Sequence, residues 1–363
     1  MPSTTHPEFN NHTEALEVAQ AFPSAIQGKT AIVTGVNPNG IGFATAEALA
    51  SQSPTHLILT GRTPSKLTTS ISLLRAKYPS VTYHALPMDL SDQSSVRTAA
   101  NTILTNPSIP EINIVINSAG IMNIPTRTLT PDGIEITFAT NHIGHFLFTC
   151  LLMPKIIAAA KTNPRGTTRI VNVSSLSPTI AKMRWSDHTF SIKNKDLPEA
   201  EQPNYNVLRQ WGATDVENAS YVPVEAYNQS KVANVLFGIG LTRKLWEKFG
   251  ILGAALHPGI IQTELARGFG DKELEAVEKM KQAGYIQHRS LGAGAATSLV
   301  AALDPGLAEG MVGGEVRDGK ENWGAFLLDC QISGLAAHLA VASEEADRLW
   351  GVSEGLVGEK FEW

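Results

Sequence analysis

Short runs of β-branched and apolar residues alternate with stretches of helical periodicity along nearly the whole chain, and this alternation constrains the fold most. TAIVT (30–34), HLILT (56–60), VTYHALPM (81–88), INIVIN (112–117), RIVNVS (169–174) and ILGAAL (251–256) read as strands, because such residues suit a pleated, half-buried surface. Between them, Val96, Ala99, Ala100 and Ile103 share a helical face. Val232, Val235, Leu236 and Ile239 do the same in a helix that Pro223 is well placed to open. Strand–helix–strand order of this kind requires a parallel sheet with its helices packed over it. A weaker last strand is expected near Gly314 to Arg317.

The first strand runs into TGVNPNGIG (34–42), and the helical stretch IGFATAEALASQ follows. In that context Gly35, Gly40 and Gly42 read as a phosphate-binding loop, with Asn37, Asn39 and Ile41 beside the anion at the helix N-terminus. The spacing, G-x-x-x-x-G-x-G, carries one residue more than either common dinucleotide fingerprint. Asn37 and Asn39 tolerate left-handed backbone and Pro38 fixes its own φ, so a tight bulge can absorb the extra residue. The second strand ends LILTGRTPSKL with no acidic residue to hold ribose hydroxyls. Arg62 stands there instead, with Lys66 nearby, and a guanidinium suits a 2′-phosphate. NADP(H) is the expected cofactor.

Further along, AYNQSK places Tyr227 and Lys231 four residues apart, on one face of a helix. A free tyrosine titrates near 10, and a neighbouring ammonium favours its phenolate. NVSS ends a strand at Ser174 and Ser175, and NSAG (117–120) ends the strand before it. In doubly wound sheets that carboxyl edge is where ligands bind. Asn141 lies in FATNHIGHF, and HPGIIQT (257–263) follows the sixth strand.

Together with Asp89 in PMDLS, VANVLF and DRLWGVSEGLVG, these motifs make the chain resemble the short-chain dehydrogenase/reductase family, nearest its retinol-dehydrogenase-like and WW-domain-oxidoreductase-like branch. The resemblance covers about Lys29 to Gly358. It implies an α/β fold: a single-domain Rossmann-type, doubly wound parallel sheet of about seven strands with helices on both faces. It implies a catalytic set of Asn141, Ser175, Tyr227 and Lys231, in which Tyr227 is the general acid/base and Lys231 lowers its pKa and binds the nicotinamide ribose. Ser175 would hydrogen-bond the substrate oxygen, and Asn141 would hold a relay water behind Lys231. Asp89 would contact the adenine and Thr263 the carboxamide, and Leu90, Asn117, Ala119, Gly120, Pro258, Gly259 and Ile261 would also bind the cofactor.

One segment breaks the rhythm. Residues 176–222 show no clear period yet hold Trp185, Phe190, Tyr205, Trp211 and Tyr221. So long an irregular segment is commonly a functional lid or a linker, and the aromatics argue against disorder. With a lid at 264–288 it is expected to shape a substrate pocket from Ile121, Leu176, Trp185, Tyr221 and Leu265. Residues 1–28 read as a polar arm with a short helix capped by Thr13, and 359–363 as a tail.

Twenty-nine basic against 34 acidic residues leave a net charge of −5, which speaks against nucleic acid as a partner. Two cysteines without metal-ligand spacing give no disulfide framework and no expected metal site. His142 and His145 read as packing or hydrogen-bonding residues. No membrane span and no signal peptide are expected, so the cytoplasm is the expected compartment. The expected activity is hydride transfer between NADP(H) and a small, apolar carbonyl or alcohol, with homodimer formation left open. One alternative is a catalytically idle NADP(H)-binding regulator that uses the 176–222 insertion as a partner surface; such a protein has no use for an intact catalytic set. A sugar-nucleotide epimerase or dehydratase would need a larger C-terminal substrate domain.

Overall fold

The computed structural model describes residues 3–284, 286–309 and 315–363. Six strands form where the apolar runs stand: β1 (Thr30–Val33), β2 (His56–Gly61), β3 (Thr82–Pro87), β4 (Ile114–Asn117), β5 (Arg169–Val173) and β6 (Leu252–His257). All six are parallel, in the spatial order β3-β2-β1-β4-β5-β6. Two short strands complete an eight-stranded sheet, β7 (Phe326–Leu328) parallel to β6 and β8 (Gln331–Ile332) antiparallel to β7. The last parallel strand therefore lies at 326–328 and not near Gly314 to Arg317. Gly314 is outside the described residues, and Arg317 makes a single bridge to Lys320. The reason is burial: Val316 is 62% exposed, whereas Phe326 and Leu327 each enter a core.

The helices are α1 (Ala15–Ala21), α2 (Ile41–Ala50), α3 (Pro64–Lys77), α4 (Gln93–Leu104), α5 (Gly144–Thr162), α6 (Tyr205–Gln210), α7 (Pro223–Phe249), α8 (Asp271–Gln282), α9 (Leu291–Leu303) and α10 (Ser343–Val357). Side chains alternate across a strand, so the sheet feeds two cores. Ile32, Ile58 and Val115 face α4, α5, α7 and α10. Ala31, Val33, Leu57 and Leu59 face α1, α2, α3 and α9. The topology reverses between β1 and β4, opening the crevice at their carboxyl ends that doubly wound sheets use for ligands.

Three expectations change. The N-terminal arm is no polar appendage: Phe9, Val18 and Ile26 are buried in the second core. Glu14 stands at its N-cap position without a side-chain capping bond, and the Thr13 Oγ1 accepts the Asn10 N–H at 2.9 Å instead. The helical stretch Ile136–Thr162 is long and apolar enough to pass for a membrane span, against the reading of the sequence, yet 67% of its apolar window is buried inside the domain.

The insertion owes its order to a polar hub. The buried Arg184 guanidinium donates to Asp187 Oδ2 (2.7 Å), Asn194 Oδ1 (2.6 Å) and the Ile192 carbonyl. It also lies 4.7 Å from the centre of the Phe190 ring. The Arg184 N–H donates to Gln229 Oε1 of α7 at 3.1 Å, anchoring the insertion on that helix. Burial alone would raise the Asp187 pKa, but the Ile192 N–H and the guanidinium hold its carboxyl below the usual carboxylate range.

Candidate active site

The loop after β1 passes close to the end of β4. Gly35 has φ of +73°, and a Cβ there would lie 2.6 Å from the Ala119 Cα, so only glycine fits. A Cβ on Gly42 would meet the Gly35 carbonyl at 2.8 Å. The Gly40 N–H donates to the Asn37 carbonyl at 3.0 Å, closing a turn over Asn37–Pro38–Asn39–Gly40 that absorbs the extra residue. Gly40 is then the N-cap of α2, whose first N–H groups are free for an anion. Thr34 Oγ1 ties the loop to β4 by accepting the Ser118 and Ala119 N–H groups at 2.9 and 3.0 Å. Gly35→Ala is expected to cost about 1–3 kcal/mol of stability and to weaken dinucleotide binding. Thermal unfolding and a fluorescence titration would check this; no change in either would mean the loop is unconstrained.

A single cleft of about 1900 Å³ runs from this loop across the carboxyl edge of the sheet. Of the expected cofactor residues it takes in Gly35, Asn37, Gly40, Ile41, Gly42, Arg62, Asp89, Leu90, Ala119, Gly120, Tyr227, Lys231, Pro258, Gly259, Ile261 and Thr263. Two fall outside its lining. Asn39 is exposed at the tip of the turn. Asn117 is buried behind the sheet edge, donating to Thr149 Oγ1 and Asn172 Oδ1 at 3.2 and 2.9 Å. Lys66 also lines the cleft and pairs with Glu264 Oε2 of the lid at 2.5 Å, each side chain 45% exposed. Among the described residues Arg62, exposed at the cleft edge, has no ion-pair partner within 4 Å.

Ser174 and Ser175 leave β5 on opposite sides. Ser174 Oγ is buried and donates to the Lys231 carbonyl at 2.6 Å, pinning α7 to the sheet. Ser175 faces the cleft alongside Tyr227, and its hydroxyl favours the ionised form of that phenol. Lys231 Nζ donates to the Val173 carbonyl at 2.9 Å and lies 5.5 Å from the centre of the Tyr227 ring. Burial pushes the Tyr227 hydroxyl up to about 12, opposed by the Ser175 hydroxyl, and pushes Lys231 down to about 8. Burial governs the Tyr227 hydroxyl, and the lowering expected from Lys231 is not among the influences that move it.

The Asn141 side chain is fixed by three hydrogen bonds. It accepts the Ile121 N–H (2.8 Å), donates to the Ile121 carbonyl (2.9 Å) and donates to Ser230 Oγ (2.9 Å). It is fully buried and shapes the cleft wall from behind Gly120. The π-helical turn Ala139–Ile143 carries it. His145 bridges Thr34 Oγ1 and the Asn141 carbonyl, and His142 hydrogen-bonds Ser353.

Ile121, Leu176 and Leu265 line the substrate end of the cleft, whereas Trp185 and Tyr221 do not. The Trp185 indole donates to Glu345 Oε2 at 2.8 Å and stacks under Arg348, against α10. The Tyr221 hydroxyl donates to the Ile124 carbonyl at 2.8 Å, and its ring meets Phe190 edge-on. Trp211 takes the place they were expected to fill. It lines the cleft and meets Phe269 of the lid edge-on at 6.3 Å. A Cβ on Gly212 would lie 3.1 Å from the Lys272 carbonyl, so insertion and lid close into one roof. That placement depends on tertiary docking, which no local pattern signals.

A family model described as short chain dehydrogenase matches residues 29–187. The chloroplastic short-chain dehydrogenase TIC 32 A of Brassica napus is 33% identical over 332 residues, spanning 90% of this chain and 88% of that protein. The chain belongs to the short-chain dehydrogenase family. It stands near the retinol-dehydrogenase-like branch and is an oxidoreductase by that membership. Oxidoreductase fscI of Fusarium equiseti is 37% identical over 251 residues, covering 69% of this chain and 94% of its own. A short-chain dehydrogenase from Sphingobium yanoikuyae, solved in complex with NADPH, shares the fold. The TM-score is 0.51 at 21% identity, over 75% of this chain and 83% of that one.

Proposed function

We propose that this short-chain dehydrogenase is an NADP(H)-dependent enzyme transferring hydride between nicotinamide and the carbonyl or alcohol carbon of a bulky, apolar small molecule. The observation that carries this reading is the convergence of Ser175, Tyr227 and Lys231 on the same cleft as the glycine turn. Ligand pockets commonly measure about 300–1,000 Å³. A cleft of about 1900 Å³ accommodates a dinucleotide and a second sizeable molecule.

The residues present fit the dinucleotide. The α2 N-terminus would receive the pyrophosphate, Arg62 the 2′-phosphate, and Lys231 the nicotinamide ribose. The bound nicotinamide supplies the hydride. Ser175 and Tyr227 then hold the carbonyl oxygen, and Tyr227 delivers a proton to that oxygen as charge develops on it. Lys231, charged below about pH 8, steadies the phenolate left behind. The apolar walls from Leu176, Trp211, Leu265 and Phe269 exclude water and favour a substrate without charge near the reacting carbon.

The cofactor reading is tested by titrating NADPH and NADH into wild type and Arg62→Ala. A charged hydrogen bond contributes roughly 1.5–3 kcal/mol, so the variant is expected to lose about 10–100-fold in NADPH affinity and little in NADH affinity. Equal binding of both dinucleotides by wild type, or no loss in the variant, would overturn it. NADPH consumption over a panel of aldehydes, aliphatic, aryl and polycyclic ketones tests the activity. A wild type that binds NADPH and reduces none of them favours a regulatory protein instead.

A further inference from the structure

Two polar residues beside Tyr227, Glu225 and Asn228, are buried and have no part in the chemistry described so far. They join Ser175 through one continuous chain of hydrogen bonds. Ser175 Oγ donates to Ser177 Oγ at 2.8 Å, Ser177 Oγ donates to Asn228 Oδ1 at 2.8 Å, and Asn228 Nδ2 donates to Glu225 Oε2 at 3.3 Å. A hydroxyl has one hydrogen to give, so in this arrangement every hydrogen points toward the carboxylate. Ser175 then accepts from the Ser177 N–H at 3.0 Å. It has no hydrogen left for a substrate oxygen.

The opposite arrangement uses the same atoms. A protonated Glu225 donates its O–H to Asn228 Oδ1 once the amide has made a half-turn. Asn228 Nδ2 then donates to Ser177 Oγ, and Ser177 donates to Ser175 Oγ. Both lone pairs of Ser175 are now filled, by the hydroxyl and the N–H of Ser177. Its own hydrogen and that of Tyr227 are both free for a carbonyl oxygen. The only change in composition is one proton taken up by Glu225 from solvent.

We propose that Glu225 is a positioning residue whose protonation, passed through Asn228 and Ser177, sets Ser175 as a hydrogen-bond donor for carbonyl reduction or an acceptor for alcohol oxidation. The inference rests on the reductase reading above. Burial pushes the Glu225 carboxyl up to about 7, opposed by the Asn228 hydrogen bond and by the charges of Arg184 and Lys182. Both settings are therefore populated near neutrality. Neither cation pairs with it: the Arg184 guanidinium is engaged by Asp187, and Lys182 Nζ faces the Glu199 carbonyl at 3.4 Å. On its own helix Lys231 is turned to the Val173 carbonyl.

The test compares wild type, Glu225→Gln and Ser177→Ala, each checked for a native thermal transition. Infrared difference spectra over pH read the carboxylic-acid C=O band of Glu225 without turnover. The expected band grows in on acidification, is absent from Glu225→Gln, and titrates with a moved midpoint in Ser177→Ala. A midpoint untouched by Ser177→Ala overturns the relay whether or not the enzyme turns over any substrate, which separates its failure from that of the reductase reading. With a reducible ketone, wild-type kcat is expected to fall about tenfold by one pH unit above the midpoint, while KM for NADPH stays level. Glu225→Gln, permanently neutral, should lose this limb and keep the one belonging to Tyr227. A limb that persists in Glu225→Gln belongs to another group and overturns the proposal.

Discussion

Replacing Tyr227 by phenylalanine is expected to lower NADPH-dependent turnover by about 10²–10⁴-fold, the usual contribution of a positioned acid/base. The substitution removes one oxygen from a residue that is 9% exposed, so the ring still fills its place on α7. NADPH affinity should change little, because the cradle is built from the glycine turn, Arg62 and Lys231. The decisive measurement is kcat in single-turnover conditions alongside a binding titration. Loss of binding in step with loss of rate would mean that Tyr227 holds the cofactor rather than moving a proton. Unchanged turnover would remove it from the mechanism.

Arg184→Ala is expected to destabilise the fold by about 3–5 kcal/mol, the range for breaking a buried ion pair from one side. Arg184 and Asp187 have side-chain exposures of 2% and 3%. Without the guanidinium, the Asp187 carboxylate and Asn194 lose their partner inside the insertion. Urea unfolding monitored by tryptophan fluorescence would measure the loss, and limited proteolysis would show whether cuts concentrate within 176–222. A destabilisation below about 1 kcal/mol would mean the insertion does not depend on this hub.

The sheet was readable because five of its six long parallel strands are buried on both faces and show as continuous apolar runs, while β3 at the edge alternates exposed and buried residues. Ser175, Tyr227 and Lys231 were readable because fixed spacings at a strand end and along a helix place them together. The insertion was not, since its order comes from Arg184, Asp187 and Asn194 bonding to irregular backbone, and such a hub has no period. The same cause misplaced the pocket aromatics: Trp185 and Tyr221 had as good a local pattern as Trp211, and only docking separates them. Asn117 shows a related limit, for alternation along a strand gives the face of a residue but not which face the ligand meets. The short β7 escaped because three residues carry too little pattern to stand out.

The roof formed by Trp211 and Phe269 joins two segments whose ends are fixed independently on the scaffold. The insertion leaves after β5 and returns at α7; the lid leaves after Ile260–Ile261 and returns through His288–Arg289, a parallel pair that closes its base. Of the residues proposed to move the hydride or to set Ser175, only Ser177 lies in either one, at the start of the insertion. Away from Ser177 and the Arg184 hub, variation can therefore accumulate in both without disturbing the reaction beneath. The two must change together, however, because an edge-on aromatic contact and a backbone approach at Gly212 couple them. For directed evolution, this makes 205–212 and 265–277 a single library to be diversified jointly, on a chassis that stays constant.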